Sequence, residues 1–524
     1  MLYEINVRIA AVLALAGALV ACGSGAGGKP AGAGGATGAG GDGADVTSSA
    51  ATAGGGGDPV ATSVTSATSA TTGTSTASGA TCGDGACSGE ICSSCPQDCG
   101  ACPTAPFGDV DLHPAKIGFY MIPDLDEAYR AGGAVPAGAP GSWCPWTTTQ
   151  ASLYKLHQVL PDAWIRWDNE TGHNTSSPAN VETFVSCADN AGVAMILTAD
   201  AADGYNNYWA NQYVTGVAAP NMSLVQIADG PYLGLAHDLL VSHGNVKLVE
   251  TMNEADGPWF VTDGDDEGHF NYYMDKLKGV MGGDVARIVG PAAAIKGSNL
   301  WNNYVARADL ESFSYHTYDG HSGLVDVPGK KVHVTEYGGQ TADFWNPGTL
   351  LADLFQAEKE GKLSGTIERI YYHQITDDGS NRGAFKHDEL EGTHFAFRDW
   401  LRALILYQAL GSVSTRGYLD PSAGDFLGAD DGKGAFGVLV WNDSDATKSG
   451  QTRTIPGTSV NAGQTLHVVH VLRGDANTAK CTSVGEESAV HVEVGSGVVT
   501  VHIDALEPWA AVFVSTSPCA ALVD

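Results

Sequence analysis

The sequence predicts a (β/α)8 TIM barrel followed by a C-terminal antiparallel β-sandwich. Three observations carry that reading. From about residue 116 to residue 410, short β-branched or aromatic runs alternate with stretches of helical length, the pattern of βα units. Beyond residue 411 only short strands separated by turn residues remain. Two of the barrel strands also end in a glutamate, as residues at the carboxyl mouth of such a barrel do when they carry chemistry. Val246-Lys247-Leu248-Val249-Glu250 runs into Thr251-Met252-Asn253-Glu254, and Lys331-Val332-His333-Val334-Thr335 runs into Glu336-Tyr337-Gly338-Gly339.

In chain order the first element is a targeting segment, residues 1–22. Arg8 precedes an apolar run from Ile9 to Ala21, which is short for a membrane span. It ends Leu19-Val20-Ala21-Cys22-Gly23, similar to a bacterial lipoprotein cleavage box, in which Cys22 would become the lipidated N-terminus. A plain secretory signal is the alternative. Residues 23–80 are almost entirely Gly, Ala, Ser and Thr, a composition unable to bury a core, so they read as a disordered tether. Within 81–103 stand Cys82, Cys87, Cys92, Cys95, Cys99 and Cys102, with almost no apolar neighbours. In an exported chain that spacing predicts a disulfide-stapled module; zinc is the competing reading, and Asp84, Glu90 and Asp98 make calcium a weaker one. The segment resembles Cys-rich repeats of secreted bacterial proteins.

The catalytic barrel is expected over 110–411. Its strands are Lys116–Met121, Trp164–Asp168, Val193–Thr198, five to seven residues from Val246, Ala286–Val289 closed by Gly290-Pro291, Leu310–Tyr315, Lys331–Thr335 and Ile367–Tyr372. Helices are expected over Thr147–Val159, Val181–Ala191, Tyr232–His243, Leu350–Lys362 and Phe395–Leu410, with the one after the sixth strand poorly marked. The acidic loop Asp263–Glu267 reads as a solvated turn or a calcium loop. The sandwich, 412–524, is read from Phe436–Trp441, Thr465–Val471, Ala489–Val494, Val498–Ile503 and Trp509–Val514. Of the 11 cysteines, Cys144, Cys187, Cys481 and Cys519 remain, and each pair is expected to close within its own domain.

Composition narrows the partners. Lys+Arg number 27 against 59 Asp+Glu, a net charge of −32. Such a surface repels phosphate backbones and excludes nucleic acid. It also disfavours a strongly anionic polysaccharide unless a local basic pocket exists. A neutral oligosaccharide or polysaccharide is the expected substrate. Cleaving a glycosidic bond needs one carboxyl that keeps its proton and one that is ionised, and Glu254 and Glu336 are the candidates. Asn253 offers an amide for a sugar 2-hydroxyl. Taken singly, each glutamate is an ordinary loop acid; the pair at two strand ends is the signal.

Asn253-Glu254, Ser314-Tyr315-His316-Thr317-Tyr318 and Thr335-Glu336-Tyr337 resemble the retaining glycoside hydrolases of clan A, and more loosely glycoside hydrolase family 39, over about residues 115–410. The resemblance implies that Glu254 is the acid/base and Glu336 the nucleophile, that Asn253 holds the 2-hydroxyl, and that Arg166 keeps the nucleophile ionised. It implies that His316 and Tyr318 orient the same carboxylates, and that no metal or organic cofactor is needed. Ala255 stands where the clan usually has Pro. Tyr371-Tyr372-His373 stands where it has a strand-eight Trp, which makes Tyr372 a candidate substrate contact. Trp259 and Tyr337, with Trp167 and Trp345, are candidate sugar-stacking platforms. The expected protein is a retaining β-glycosidase anchored at the cell surface through Cys22. A non-catalytic glycan-binding lipoprotein on a degenerate barrel is the alternative.

Overall fold

In a computed structural model of the chain, the described residues are 108–110, 112, 116–121, 144–145, 147–167, 178–199, 228–230, 232–256, 267–375, 383–391, 394–413, 417–419, 424–461, 463–472, 481–483, 489–495 and 497–517. The signal segment with Cys22, the tether, the Cys-rich module, Trp259, nearly all of the acidic loop and the Cys481–Cys519 pairing lie outside them. No helix of the described residues is long and apolar enough to cross a membrane.

A short strand, β1 (Gly108–Val110), comes before the barrel. The barrel strands are β2 (Ile117–Met121), β3 (Trp164–Trp167), β4 (Ala194–Thr198), β5 (Val246–Glu250), β6 (Ile288–Val289), β7 (Pro291–Ala293), β8 (Ser312–Thr317), β9 (Lys331–Tyr337) and β10 (Ile367–Tyr372). They pair in the order β6-β5-β4-β3-β2-β10-β9-β8-β7, and every pairing is parallel. The two outer members of that order are halves of one strand, the fifth: β6 pairs with β5 and β7 with β8. The barrel closes there. The sequence pattern puts the end of this strand at Gly290-Pro291, whereas the strand bends at Gly290 and continues. A Cβ at Gly290 would lie 2.5 Å from Thr251 Oγ1 and 2.9 Å from Tyr304, so only glycine lets the halves turn toward different neighbours.

The period-two alternation of each strand sorts side chains between the interior and the surrounding helices. Ile196, Val289 and Tyr371 cluster inside, with Trp164 and Leu248 against them. Gly118 makes room for this filling, since a Cβ there would lie 2.5 Å from Tyr371 Cδ1. The alternate residues Ile165, Trp167, Leu197, Val249, Val332 and Val334 face the helices.

The helices are α1 (Thr147–Val159), α2 (Pro178–Ala191), α3 (Tyr232–Ser242), α4 (Glu267–Met281), α5 (Asn299–Val305), α6 (Pro347–Lys359) and α7 (Asp399–Val413). On α2 the buried residues Val181, Phe184, Val185 and Ala188 fall at helical spacing, and burial of each larger one contributes about 1.5–3 kcal/mol. Its start is Pro178, whose missing N–H costs nothing in a first turn. Helix α6 begins earlier than its apolar period suggested, with Pro347 in its first turn. It ends at Gly361, where φ is +68° and Lys362 N–H reaches back to Ala357 O at 3.0 Å. The last helix starts at Asp399 rather than Phe395. His394–Phe397 instead pairs as a strand with Phe385–Glu391, because its aromatics recur with period two. After β8 only a 3-10 turn, Gly320–Gly323, stands in the helix position. Cys144, just before α1, is bonded to Cys187 on α2, the pairing expected within the barrel.

The sandwich has a seven-stranded and a three-stranded antiparallel sheet. The larger draws on both ends of the chain, since β1 pairs with Gly417–Leu419; the sandwich is therefore not confined to 412–524. Phe436, Val438 and Val440 point to the small sheet, where Ile455, Val499, Val501 and Ile503 meet them. Leu439, Trp441, Val469, Val471 and Phe513 point the other way and join the barrel core. Trp441 lies edge-on to Phe355 of α6 at 5.7 Å. Gly348 on α6 approaches so closely that any Cβ there would collide with Asn442 O.

Candidate active site

The barrel mouth gathers charge at one point. Arg166, the inward residue near the end of β3, is fully buried. Its Nε donates to Glu250 Oε2 at 2.5 Å, its Nη1 to Glu336 Oε1 at 3.0 Å, and its Nη2 to Asn253 Oδ1 at 2.5 Å. Its guanidinium lies over the Tyr120 ring, 5.3 Å from the centroid. One cation thereby joins the ends of β3, β5 and β9 and the loop after β5.

Glu336 owes its direction to an irregularity in β9. Val334 and Tyr337 stand opposite Ile370 and Tyr372 of β10, and Val334 and Glu336 stand opposite Tyr315 and His316 of β8. Strand β9 therefore carries one extra residue here, a bulge that re-aims a side chain toward the mouth. Tyr318 OH donates to Glu336 Oε2 at 2.6 Å, so both carboxylate oxygens are engaged.

Glu254 reaches the same point from the loop. Its φ is 44°, in the left-handed region that a non-glycine residue enters at a cost of about 1–2 kcal/mol. Its N–H donates to Ala292 O at 3.0 Å. Asp256 ties this loop to the one after β7, accepting from Ala294 N at 2.9 Å, Ile295 N at 3.0 Å and Ser298 Oγ at 2.7 Å. Met252 N donates to Tyr273 OH at 3.1 Å. His316 Nδ1 lies 2.6 Å from Glu254 Oε1 and 3.5 Å from Glu336 Oε1. One carboxylate oxygen of each glutamate and a ring nitrogen of His316 all lie within 4.8 Å of one another. That trio has metal-ligand types, but Arg166 and Tyr318 already occupy the Glu336 oxygens, and a guanidinium at 3.0 Å opposes a second cation.

The electrostatics separate the two carboxyls. Burial alone would raise the pKa of Glu336, but the charges of His316, Arg166 and His373, with the Tyr318 hydroxyl, outweigh it and hold Glu336 below the usual carboxylate range. For Glu254 burial dominates; the His316 charge and hydrogen bond oppose it, the Glu336 charge adds to it, and the pKa is raised. Burial lowers His316, but Glu336 and Glu254 together push it up. The surroundings thus favour the anion at one carboxyl and the neutral form at its neighbour.

Of the residues singled out in the sequence, the structure brings together Glu254, Glu336, Asn253, Arg166, His316 and Tyr318. It places Tyr337, Tyr372, Trp167 and Trp345 elsewhere. Tyr337 is 1% exposed, hydrogen-bonded to Asp353, and edge-on to Tyr372 at 5.4 Å. Tyr372 packs near Trp400 at 6.0 Å, Trp167 against Phe184 at 4.8 Å, and Trp345 against Trp400 at 5.0 Å. Tyr337, Tyr372 and Trp167 each adjoin an inward or mouth residue on their strand, so alternation turns them onto the helices. The strand-eight ring at the mouth is His373, stacked on Tyr120 at 4.7 Å and edge-on to Tyr318 at 5.8 Å. Glu250 was also missed. Leu248 points inward, so the residue two further on does too, and a carboxylate there needs a buried cation.

No protein-family model matches the chain, and no curated protein matches it in sequence. Among solved structures it is similar to a GH30 endoxylanase from Clostridium papyrosolvens C71, at 11% identity and TM-score 0.46, over 78% of this chain and 98% of that one. A glucosidase from Croceicoccus marinus matches at 12% identity and TM-score 0.48, over 78% and 95%. The family 30 subfamily 8 xylanase Xyn30A from Clostridium acetobutylicum matches at 11% identity and TM-score 0.42, over 76% and 99%. All three are described as glycosidases, and none as a family 39 enzyme. At such distances the chain's own geometry has to carry the chemistry.

Glu250→Gln should keep the shape of the Arg166 contact and remove its charge. Denaturant unfolding is expected to show a loss of about 1–3 kcal/mol. Wild-type stability in this variant would mean that the Glu250 charge contributes nothing to holding the guanidinium.

Proposed function

We propose that the protein is a retaining glycoside hydrolase that cleaves β-glycosidic bonds by double displacement. The observation that supports this most is the pairing of a low-pKa carboxylate with a high-pKa carboxyl at the barrel mouth, with oxygens within 4.8 Å. Oxygens that close suit retention, for which carboxyls about 5–5.5 Å apart are expected, better than the roughly 6.5–9.5 Å of inverting enzymes. Glu336 attacks the anomeric carbon as Glu254 gives its proton to the departing oxygen, forming a glycosyl ester. With Glu336 esterified its charge is gone, the Glu254 pKa falls, and Glu254 takes a proton from the water that resolves the ester. Asn253, its carbonyl fixed by Arg166, presents its amide to the 2-hydroxyl. A neutral glycan fits the net charge of −32 in the bulk of the substrate.

Glu336→Ala should abolish turnover on every substrate. Glu254→Ala should retain activity on aryl glycosides with good leaving groups, which need little protonation. Azide added to Glu254→Ala should restore turnover and yield a β-glycosyl azide, whereas Glu336→Ala with azide should give the α-azide. Equal loss of aryl and natural substrates in Glu254→Ala, with no rescue, would reverse the role assignment, and wild-type activity in both variants would place the chemistry elsewhere.

The pH dependence is set by the same two groups. Activity needs Glu336 ionised and Glu254 protonated, so kcat/KM should fall as pH drops through the lowered pKa of Glu336 and as it rises through the raised pKa of Glu254. Tyr318→Phe removes a hydrogen bond that favours the Glu336 anion. Its acid limb should therefore move to higher pH; an unmoved limb would remove Tyr318 from the ionisation of the nucleophile.

We also infer export and membrane attachment through a lipidated Cys22. Wild type should then partition into detergent and Cys22→Ser into the aqueous phase. Identical partitioning of the two would dismiss the anchor.

A further inference from the structure

Beside Glu254 lies a cavity of about 380 Å³, lined by residues that include Glu254, Lys296, Thr317, Tyr318, Asp319 and Gln340. Its size falls within the usual range of small-ligand clefts, about 300–1,000 Å³. We propose that it receives the leaving-group sugar and that Lys296 selects a sugar bearing a carboxylate there, a uronic acid. This rests on the glycosidase reading and names the substrate class that the site would take.

The chemistry fixes the place. The acid must reach the glycosidic oxygen, so whatever departs with that oxygen lies next to Glu254, on the side away from the anomeric carbon and Glu336. Glu254 lines the cavity, and Glu336 is absent from its walls. The walls follow the strand order, from the loop after β7 that carries Lys296, through the end of β8 with Asp319, to Gln340 after β9.

The turn that carries Lys296 is tied to the loop that carries the acid. Asp256, two residues after Glu254, binds Ala294 N, Ile295 N and Ser298 Oγ. Gly297, at φ +78°, completes the turn. The backbone on either side of Lys296 is thus fixed to the backbone of the acid. Its ammonium, however, meets no carboxylate among the described residues. Elsewhere Lys276 and Lys362 lie 2.8 Å and 2.9 Å from an acid and Lys278 pairs with Asp309, whereas Lys247 and Lys330 donate to backbone carbonyls. Lys296 is exposed, so its ammonium is open to a ligand at the wall of the cavity that Glu254 lines, and a ligand carboxylate is the charge that complements it.

The other walls read neutral hydroxyls. Gln340 Nε2 donates to Asp319 Oδ1 at 2.9 Å, which leaves the second Asp319 oxygen and the Gln340 carbonyl to accept from a sugar. Asp319 repels an anion, so the ligand carboxylate belongs on the Lys296 side. The overall negative charge does not override this, because screening at physiological salt leaves interactions beyond about 8 Å weak.

The test uses the full chain and four free sugars, glucuronate, galacturonate, glucose and galactose, with binding read by calorimetry or saturation-transfer NMR. At least one uronate should bind about tenfold more tightly than its neutral counterpart, an advantage that shrinks in 0.5 M salt. Lys296→Met should bring the ratio to about one, and Lys296→Arg should retain most of it; circular dichroism checks that each variant folds. Equal binding of uronate and neutral sugar, no binding of any of the four, or a preference that survives Lys296→Met would overturn the proposal. Hydrolysis of neutral aryl β-glycosides by wild type is measured alongside. Hydrolysis without uronate preference sinks only the Lys296 assignment. Uronate binding through Lys296 without hydrolysis of any glycoside sinks the glycosidase and leaves an acidic-sugar site.

Discussion

A buried guanidinium organises the mouth of this barrel. Arg166 cannot lose its charge and carries five N–H donors in a rigid fork, so removing it from water requires acceptors fixed around it. Three segments supply them: Glu250 at the end of β5, Asn253 in the loop beyond, and Glu336 on β9. The demand runs both ways. Without Arg166 the buried Glu250 would lose its cation and Glu336 one of the groups that favour its anion, and without them the guanidinium would stand uncompensated. Strand ends far apart in sequence are thereby held in one register.

The remaining geometry consists of local departures from regular structure, each supported by neighbours. The extra residue in β9 turns Glu336 toward Arg166 and Tyr318, and leaves Tyr337 facing the helices, where Asp353 takes its hydroxyl. The left-handed backbone of Glu254 is sustained by its N–H bond to Ala292 O and by Asp256 gripping the loop after β7. Ala292 is itself left-handed, at φ 52°, and its N–H is taken by Ser314 Oγ at 3.0 Å. Strain of this sort persists only where surrounding bonds over-determine it. Here it gives the two carboxyls unlike surroundings, one whose pKa neighbouring donors and cations lower and one whose pKa burial raises.

The sandwich bears on the barrel as a wall. Its larger sheet is apolar on both faces, one against the small sheet and one against α6 and α7. Parting it from the barrel would expose Trp441, Leu439 and Phe513 and the faces of α6 and α7 they cover. Strand β1, before the barrel, pairs with the strand that follows α7, so the chain returns to its start and brackets the barrel between two parts of one sheet. This supports a scaffold role, since the inner face is spent on the barrel.

Much of this was determined by sequence alone. Strand and helix periods differ by a factor near two, so the βα alternation, the eight barrel strands and the later run of strands were legible in the pattern of apolar residues. Several elements came out at the expected bounds, among them Thr147–Val159, Ile367–Tyr372 and Phe436–Trp441. The six polar residues that converge at the mouth were also marked, Glu254, Glu336 and Asn253 by the pairing of two acidic strand ends, and Arg166, His316 and Tyr318 by the resemblance to clan A. What tertiary structure decided was direction. Tyr337 and Tyr372 are as aromatic as His373, but one position along a strand is the difference between helix layer and cleft, and the β9 bulge shifts that count. Likewise Glu250 looked like part of a strand until Arg166 lay beside it. The closure of the barrel at Gly290 and the return of Gly108–Val110 to the far sheet depend on contacts between distant parts of the chain, which no local pattern encodes.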